Sequence, residues 1–239
     1  MVNMAVIMPM DNITMRASQT SLIRLMQLVS PSLPIGAFAY SQGLEWAVDC
    51  GWVNDSKSFQ NWLEGLIFDN LECLEVPVFS RLYQACERQD ESDVIYWSHY
   101  LLASRETSEL RMEEKNRARA LTKLLVDLEL EQARQWQKVL QSCQAAPYAV
   151  AAVSWKISLE HAASGYVWSW LENQIAAAIK LVPLGQTEGQ RLQLSLSKEL
   201  SAMVQRGLKL DDSEIGASAP ALAIASSLHE TQYTRLFRS

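Results

Sequence analysis

Between Asp55 and Leu71 the apolar side chains Phe59, Trp62, Leu63, Leu66, Ile67 and Leu71 recur three and four residues apart. That spacing puts them on one face of an α-helix but scatters them over both faces of a strand. The segment can bury its apolar surface only as a helix, opened by Asp55 or Ser56. The same period returns along most of the chain. Leu22, Ile23, Leu25, Met26, Leu28 and Val29 predict a short helix that Pro31 stops, because the residue before a proline avoids the helical region. Pro77 suits the first turn of a helix that buries Val78, Phe79, Leu82, Tyr83 and Cys86.

Further helices are predicted over residues 92–104 and within the polar stretch 105–144. A small-residue helix starts at Pro147, and Tyr166 to Val182 forms the most apolar one. Ser41 can cap a short helix through Val48, with Gly51 ending it in the left-handed region. Thr187 followed by Gln190 has the capping-box pattern for a helix to Val204. Leu192, Leu194 and Leu196 alternate there as in a strand, but Leu200, Met203 and Val204 restore the helical period. Residues 208–219 read as a loop, followed by a last short helix and a tail. The result is an all-α chain: one globular domain of roughly ten helices over residues 20–228, a flexible N-terminal extension at 1–19 and a C-terminal tail at 229–239.

Nine glycines and seven prolines in 239 residues are too few for the turns of a β-sandwich or barrel. A net charge of −6 without a basic patch speaks against nucleic acid as a partner. No apolar run is long enough to span a bilayer, and the start lacks the basic n-region of a signal peptide, its first arginine being Arg16. Cys50, Cys73, Cys86 and Cys143 form no C-x-x-C pair and read as buried apolar filler, which points to a reduced, cytoplasmic setting.

Catalytic signatures are missing. There is no phosphate-cradling G-x-x-x-x-G-K-[ST], no G-x-S-x-G elbow, no H-E-x-x-H helix and no Glu-x-x-His pair for a di-iron bundle. The three histidines leave few candidates for proton transfer. His99, among Trp97 and Tyr100, reads as a core or boundary residue, and His161 as a surface one.

Three segments differ from ordinary helix. Ser30 to Ala47, SPSLPIGAFAYSQGLEWA, is a stiff loop bearing Leu33, Ile35, Phe38 and Tyr40. It is either a buried plug of the core or a protein interface. Ser104 to Arg119 is densely charged. Glu113 and Arg117 form a favourable i,i+4 pair, whereas Arg111/Lys115 and Glu109/Glu113 are like-charged. Its face is solvated or docks a charged partner. The end of the chain interleaves Tyr233, Leu236 and Phe237 with Arg235 and Arg238, residue types enriched at interface hot spots. Either it packs on its own body or a partner orders it, and the interface composition favours the partner.

These segments resemble the urease accessory protein family UreF. The likeness is carried by SPSLPIGAFAYSQGLEWAVDCGWV, ETSELRMEEK, SWLENQIAAAIKLVPLGQTEGQRL from Ser169 to Leu192, and LAIASSLHETQYTRLFRS, in that order between Leu22 and Ser239. The resemblance implies an all-helical homodimer without its own catalysis or cofactor. It would bridge UreD (called UreH in some species) and the GTPase UreG, and regulate GTP-coupled nickel delivery to apo-urease. It also implies assembly contacts at Phe38, Tyr40, Ser41, Gln42 and Gly43. The tail contacts would be His229, Glu230, Tyr233, Arg235, Leu236, Phe237 and Arg238, with Arg111, Glu113 and Glu114 docking a charged partner.

The chain departs from the family pattern at Ala37 and Ala39, where Gly and often Ser are expected, and at Lys156, where the pattern is close to A-W-G-I. Two other classes stay open. One is a helical enzyme with a core pocket around His99 or His161. The other is a nickel-binding protein, since nickel favours imidazole and takes thiolate. An arginine finger for the GTPase is a further possibility that no single arginine here identifies.

Overall fold

The computed structural model describes the backbone of residues 10–239 and the side chains from Ser18 onward. Eleven α-helices and no strand occur among the described residues. They are α1 (Met10–Val29), α2 (Leu44–Asp49), α3 (Ser56–Leu66), α4 (Val76–Arg88), α5 (Glu91–Ala103) and α6 (Ser108–Asp127). There follow α7 (Glu131–Gln135), α8 (Ala145–Ser154), α9 (Leu159–Leu181), α10 (Gln186–Gly207) and α11 (Pro220–His229).

The centre of the bundle is α8. Its run of Ala145, Ala146, Ala149, Ala151 and Ala152, with Val150 and Tyr148, is buried on every side. A helix that is apolar all round belongs inside, and its small side chains let α4, α6 and α9 approach it together. Tyr148 packs edge-on against Phe79 of α4 and Tyr166 of α9, which stack on each other. Burying such aromatics contributes roughly 1.5–3 kcal/mol each.

Pro77 lies in the first turn of α4, as expected, but no loop separates that helix from α3. Helices α3 and α4 run on through a π-helical segment, Ile67–Glu75, in which Val76 N–H reaches back five residues to Leu71 O. A proline inside an α-helix clashes with the carbonyl four residues earlier and removes a bond. The wider π turn just before Pro77 relieves both, so one rod extends from Ser56 to Arg88. Asp55 caps its start, accepting from Ser58 N at 2.7 Å.

The first helix begins at Met10, not Leu22, so residues 10–19 of the expected extension are helical. After Pro9 there is neither proline nor glycine, and Met, Arg, Ala and Gln favour helix. Residues 1–9 lie outside the described residues. Helix α10 starts at Gln186 after Gly185, one position too early for Thr187 to cap it. Leu192 and Leu196 are buried while Leu194 is 75 % exposed, the helical outcome of the ambiguous leucine run.

Cys86 and Cys143 are buried as expected, but Cys73 is only partly covered and Cys50 is exposed at the end of α2, where the chain turns outward through Gly51. His99 is exposed on α5 rather than in the core, and His161 is exposed on α9.

Candidate partner-docking site

The loop after α1, the face of α6 and the tail after α11 meet at one side of the bundle. Loop formation there follows from Pro31, Pro34 and Gly36, which leave only a short 3-10 turn at Ala37–Ala39. Gln42 and Gly43 then take the left-handed conformation. At Gly43 a Cβ would stand 2.9 Å from Ser226 N, so only glycine lets the loop lie against α11.

Glu45 of α2 organises the tail. Its carboxylate accepts from Leu236 N at 2.6 Å and Phe237 N at 2.9 Å. Its Oε2 also faces His229 Nε2 at 3.2 Å, while His229 Nδ1 lies 2.7 Å from Glu109 Oε2 of α6. Arg235 pairs with the other oxygen of Glu109. Glu230 sits on the N-terminus of α6, accepting from Ser108 Oγ at 2.6 Å and Glu109 N at 3.0 Å. The Ser108 hydroxyl and these amides hold its carboxyl below the ordinary value.

At the end of the tail, the Ser239 main-chain oxygen accepts from Ser41 N, Gln42 N and Ser41 Oγ at 2.7, 3.0 and 2.6 Å. Its hydroxyl donates to Glu113 at 2.9 Å. Glu113 also accepts from Gln42 Nε2 at 2.9 Å and Arg117 at 2.8 Å. Gln42 takes a bond from Trp170 Nε1 of α9 at 2.9 Å. Arg238 N donates to Ala39 O at 2.9 Å, so the tail is bound to the loop backbone as well.

Next to Glu113 on α6, Glu114 belongs to a buried network. Arg105 pairs with both Glu75 and Glu114, Tyr166 donates to Glu75 at 2.9 Å, and Gln144 N donates to Glu114 at 2.9 Å. Burial pushes the Glu114 carboxyl up, but Arg105, the Gln144 amide and Arg117 outweigh it and hold the group below its ordinary value. Burial also raises the Tyr166 hydroxyl and the Cys143 thiol.

These positions correct two readings of the charged segment. Glu113 and Glu114 are 2 % and 7 % exposed, so they neither form a solvated face nor face a partner in this structure. The i,i+4 pair of Glu113 and Arg117 is present. Arg111 is half-buried and donates to Arg105 O. The like-charged Glu109 and Glu113 each have their own partners. The tail, expected to be ordered by a partner, is seated on its own body: Phe237, Ser239 and His229 are buried, and Lys180 lies over the Phe237 ring. Tyr40, Ser41 and Gly43 are buried too.

What remains outside mixes apolar and charged side chains. Phe38 is 68 % exposed, Leu236 66 %, and Tyr233 wholly so, with Ile224 and Leu228 of α11 half-exposed and Arg235, Arg238 and Glu230 exposed. Sequence reasoning missed Glu45, Glu75, Arg105 and Trp170. Carboxylates and an arginine set among apolar residues were the available signal, because a charge is buried only beside a partner.

Among the described residues no three His, Cys, Asp or Glu side chains are grouped to hold a metal ion. Glu45 and Glu109 sit on opposite edges of the His229 ring and do not converge on a point. No helix among the described residues is long and apolar enough to cross a membrane. His99 is exposed on α5, and His161 borders an open groove between α1, α9 and α10.

The sequence model of the UreF family matches residues 53–197. A urease accessory protein UreF of Alcanivorax borkumensis is 51 % identical over 229 residues, 93 % of this chain and 100 % of the relative. One of Alkalilimnicola ehrlichii is 48 % identical over 216 residues, 90 % and 95 % of the two chains. One of Citrobacter koseri is 45 % identical over 217 residues, 91 % and 97 % of the two.

Proposed function

The chain belongs to the UreF family of urease accessory proteins, and we propose that it acts as a non-catalytic scaffold bridging UreD and the GTPase UreG. In this reading the assembled complex delivers nickel to apo-urease, coupled to GTP use by UreG, and the chain works as a homodimer. Nickel is the cargo of the assembly, not a resident of this chain.

The observation that carries the reading is the docked tail. Glu45, Ser41 and Gln42 fix the backbone of Leu236 to Ser239, so Tyr233 and Leu236 stand out on a segment that is already ordered. A preordered segment avoids most of the ordering cost of binding, about 0.5–1.5 kcal/mol per side chain, so exposed aromatic and aliphatic anchors can contribute fully. The exposed Arg235 and Arg238 would steer an acidic partner surface.

The test is co-purification of UreD and UreG with the intact chain, with Tyr233→Ala/Leu236→Ala, and with a chain cut before His229. Both changes should abolish UreD capture while circular dichroism shows an intact helical body. Undiminished capture by the double variant would refute the role of the tail.

A further inference from the structure

Helix α6 turns its acids Glu113 and Glu114 into the molecule and carries a row of cations on its outer side. Lys115, Arg119 and Lys123 follow one another at i, i+4 and i+8, so neighbours stand about 5–6 Å apart on one face. That face lies opposite the buried Leu121 and Leu125. Lys115 is half-buried there, and Arg119 and Lys123 are exposed. Met112, one turn before Lys115, is 53 % exposed on the same face.

None of the three cations makes an ion pair or hydrogen bond with a described residue, whereas Arg81, Arg88, Arg134 and Arg206 each hold a carboxylate. Asp127, one turn beyond Lys123, is exposed and forms no ion pair with it. Like charges at this spacing repel and destabilise a helix, and Arg119 has one on each side. No contact among the described residues offsets that repulsion. In a chain of net charge −6 the row is a local reversal of sign.

The other side of α6 is locked into the core, so the cations are presented at a fixed spacing and lose little freedom on binding. A second helix with carboxylates four residues apart repeats that spacing and can meet all three. Met112 adds an adaptable apolar contact. Nucleic acid matches less well, since a duplex carries one charge per about 1.7 Å and three cations would leave most of it facing an acidic chain. We propose that the outward face of α6 docks an acidic amphipathic helix of a partner protein. Its carboxylates lie against Lys115, Arg119 and Lys123, and an apolar side chain lies against Met112. This surface does not use the exposed tail residues Tyr233 and Leu236.

The probe is a stapled helical peptide with glutamates at every fourth position and a leucine beside them, labelled with fluorescein. It is titrated into the full chain by fluorescence anisotropy, with the same peptide bearing glutamines as control. Saturable binding is expected, about tenfold or more tighter than the control, and weaker as salt rises. Lys115→Glu/Arg119→Glu/Lys123→Glu should weaken it about tenfold or more. Lys57→Glu/Lys198→Glu/Lys209→Glu changes exposed lysines elsewhere. It makes the same change in net charge and should leave binding within about twofold. Arg119→Gln, a single neutral change at the centre of the row, should weaken binding about threefold. It keeps the test decisive if the triple variant loses its helical circular dichroism. Absence of saturable binding, equal binding of the glutamine peptide, or equal losses in the two triple variants would each overturn the proposal. So would tighter binding of a single-stranded oligonucleotide or of anionic phosphatidylserine vesicles than of the acidic peptide.

Discussion

His229 and Glu109 are joined ring to carboxylate at 2.7 Å, although 120 residues separate them in the chain. The same ring meets Glu45 on its other edge, so a single buried side chain ties α2, α6 and α11 together. The bonds to Leu236 N, Phe237 N and Arg235 all come from these two carboxylates.

Replacing the ring therefore has a large expected effect. His229→Ala leaves Glu45 and Glu109 without their shared partner in a largely buried site, and breaking such a set costs about 3–5 kcal/mol. Urea unfolding should show a loss of that order, and the amides of Leu236 and Phe237 should lose protection from hydrogen exchange. A loss below about 1 kcal/mol would mean that the site relaxes to admit water.

The buried network around Arg105 predicts acid sensitivity. Glu114 is held below its ordinary value of 4.5 in the folded chain. A depressed folded value means that ionised Glu114 stabilises the fold above that ordinary value. The contribution is lost as pH falls below 4.5 and through the lower folded value. Unfolding free energies measured at falling pH should decline over that range more steeply in the parent than in Glu114→Gln, which is less stable at neutral pH but has no carboxyl to titrate there. Parallel curves would remove Glu114 from the account.

Lys156 ends α8 with a φ of +56° and an exposed side chain. A residue with a Cβ pays roughly 1–2 kcal/mol in the left-handed region, so glycine would fit here without that strain. Lys156→Gly relieves that strain, partly offset by the greater freedom of an unfolded glycine. The expected gain is about 0.5–1 kcal/mol, or a rise of about 1–4 °C in Tm by differential scanning calorimetry. A fall in Tm would show that the lysine makes a compensating contact.

The cysteines should separate by reactivity. Cys50 is exposed, whereas burial pushes the Cys86 thiol up to about 12 and holds Cys143 well above the ordinary thiol. Because the thiolate is the nucleophile, a disulfide reagent should label Cys50 fast in the native chain. Cys86 and Cys143 should react only at the rate of unfolding. Prompt labelling of Cys143 would indicate an opening of the core beside Glu114.

The helices were legible because helical periodicity is a local property. Phe59 to Leu71, the alanine-rich α8 and the Asp55 cap each declare themselves within a few residues. Where local signals competed, the structure departed from them: a π turn before Pro77 joins α3 to α4 without a break, and α1 extended back to Met10. The motif segments were legible as unusual. Their mutual arrangement was not, since nothing near Glu45 in sequence announces a tail 190 residues away.

The sequence by itself thus determined the helical class, the positions of most helices and the family, because side-chain periodicity and motif order are written along the chain. Only the tertiary structure decided that Glu113 and Glu114 of α6 point inward and that the tail is held by its own body. A charge is stabilised by whatever lies within a few ångströms of it, and here those neighbours, Arg105, His229 and Ser239, are brought to the acids by packing rather than by proximity in the chain.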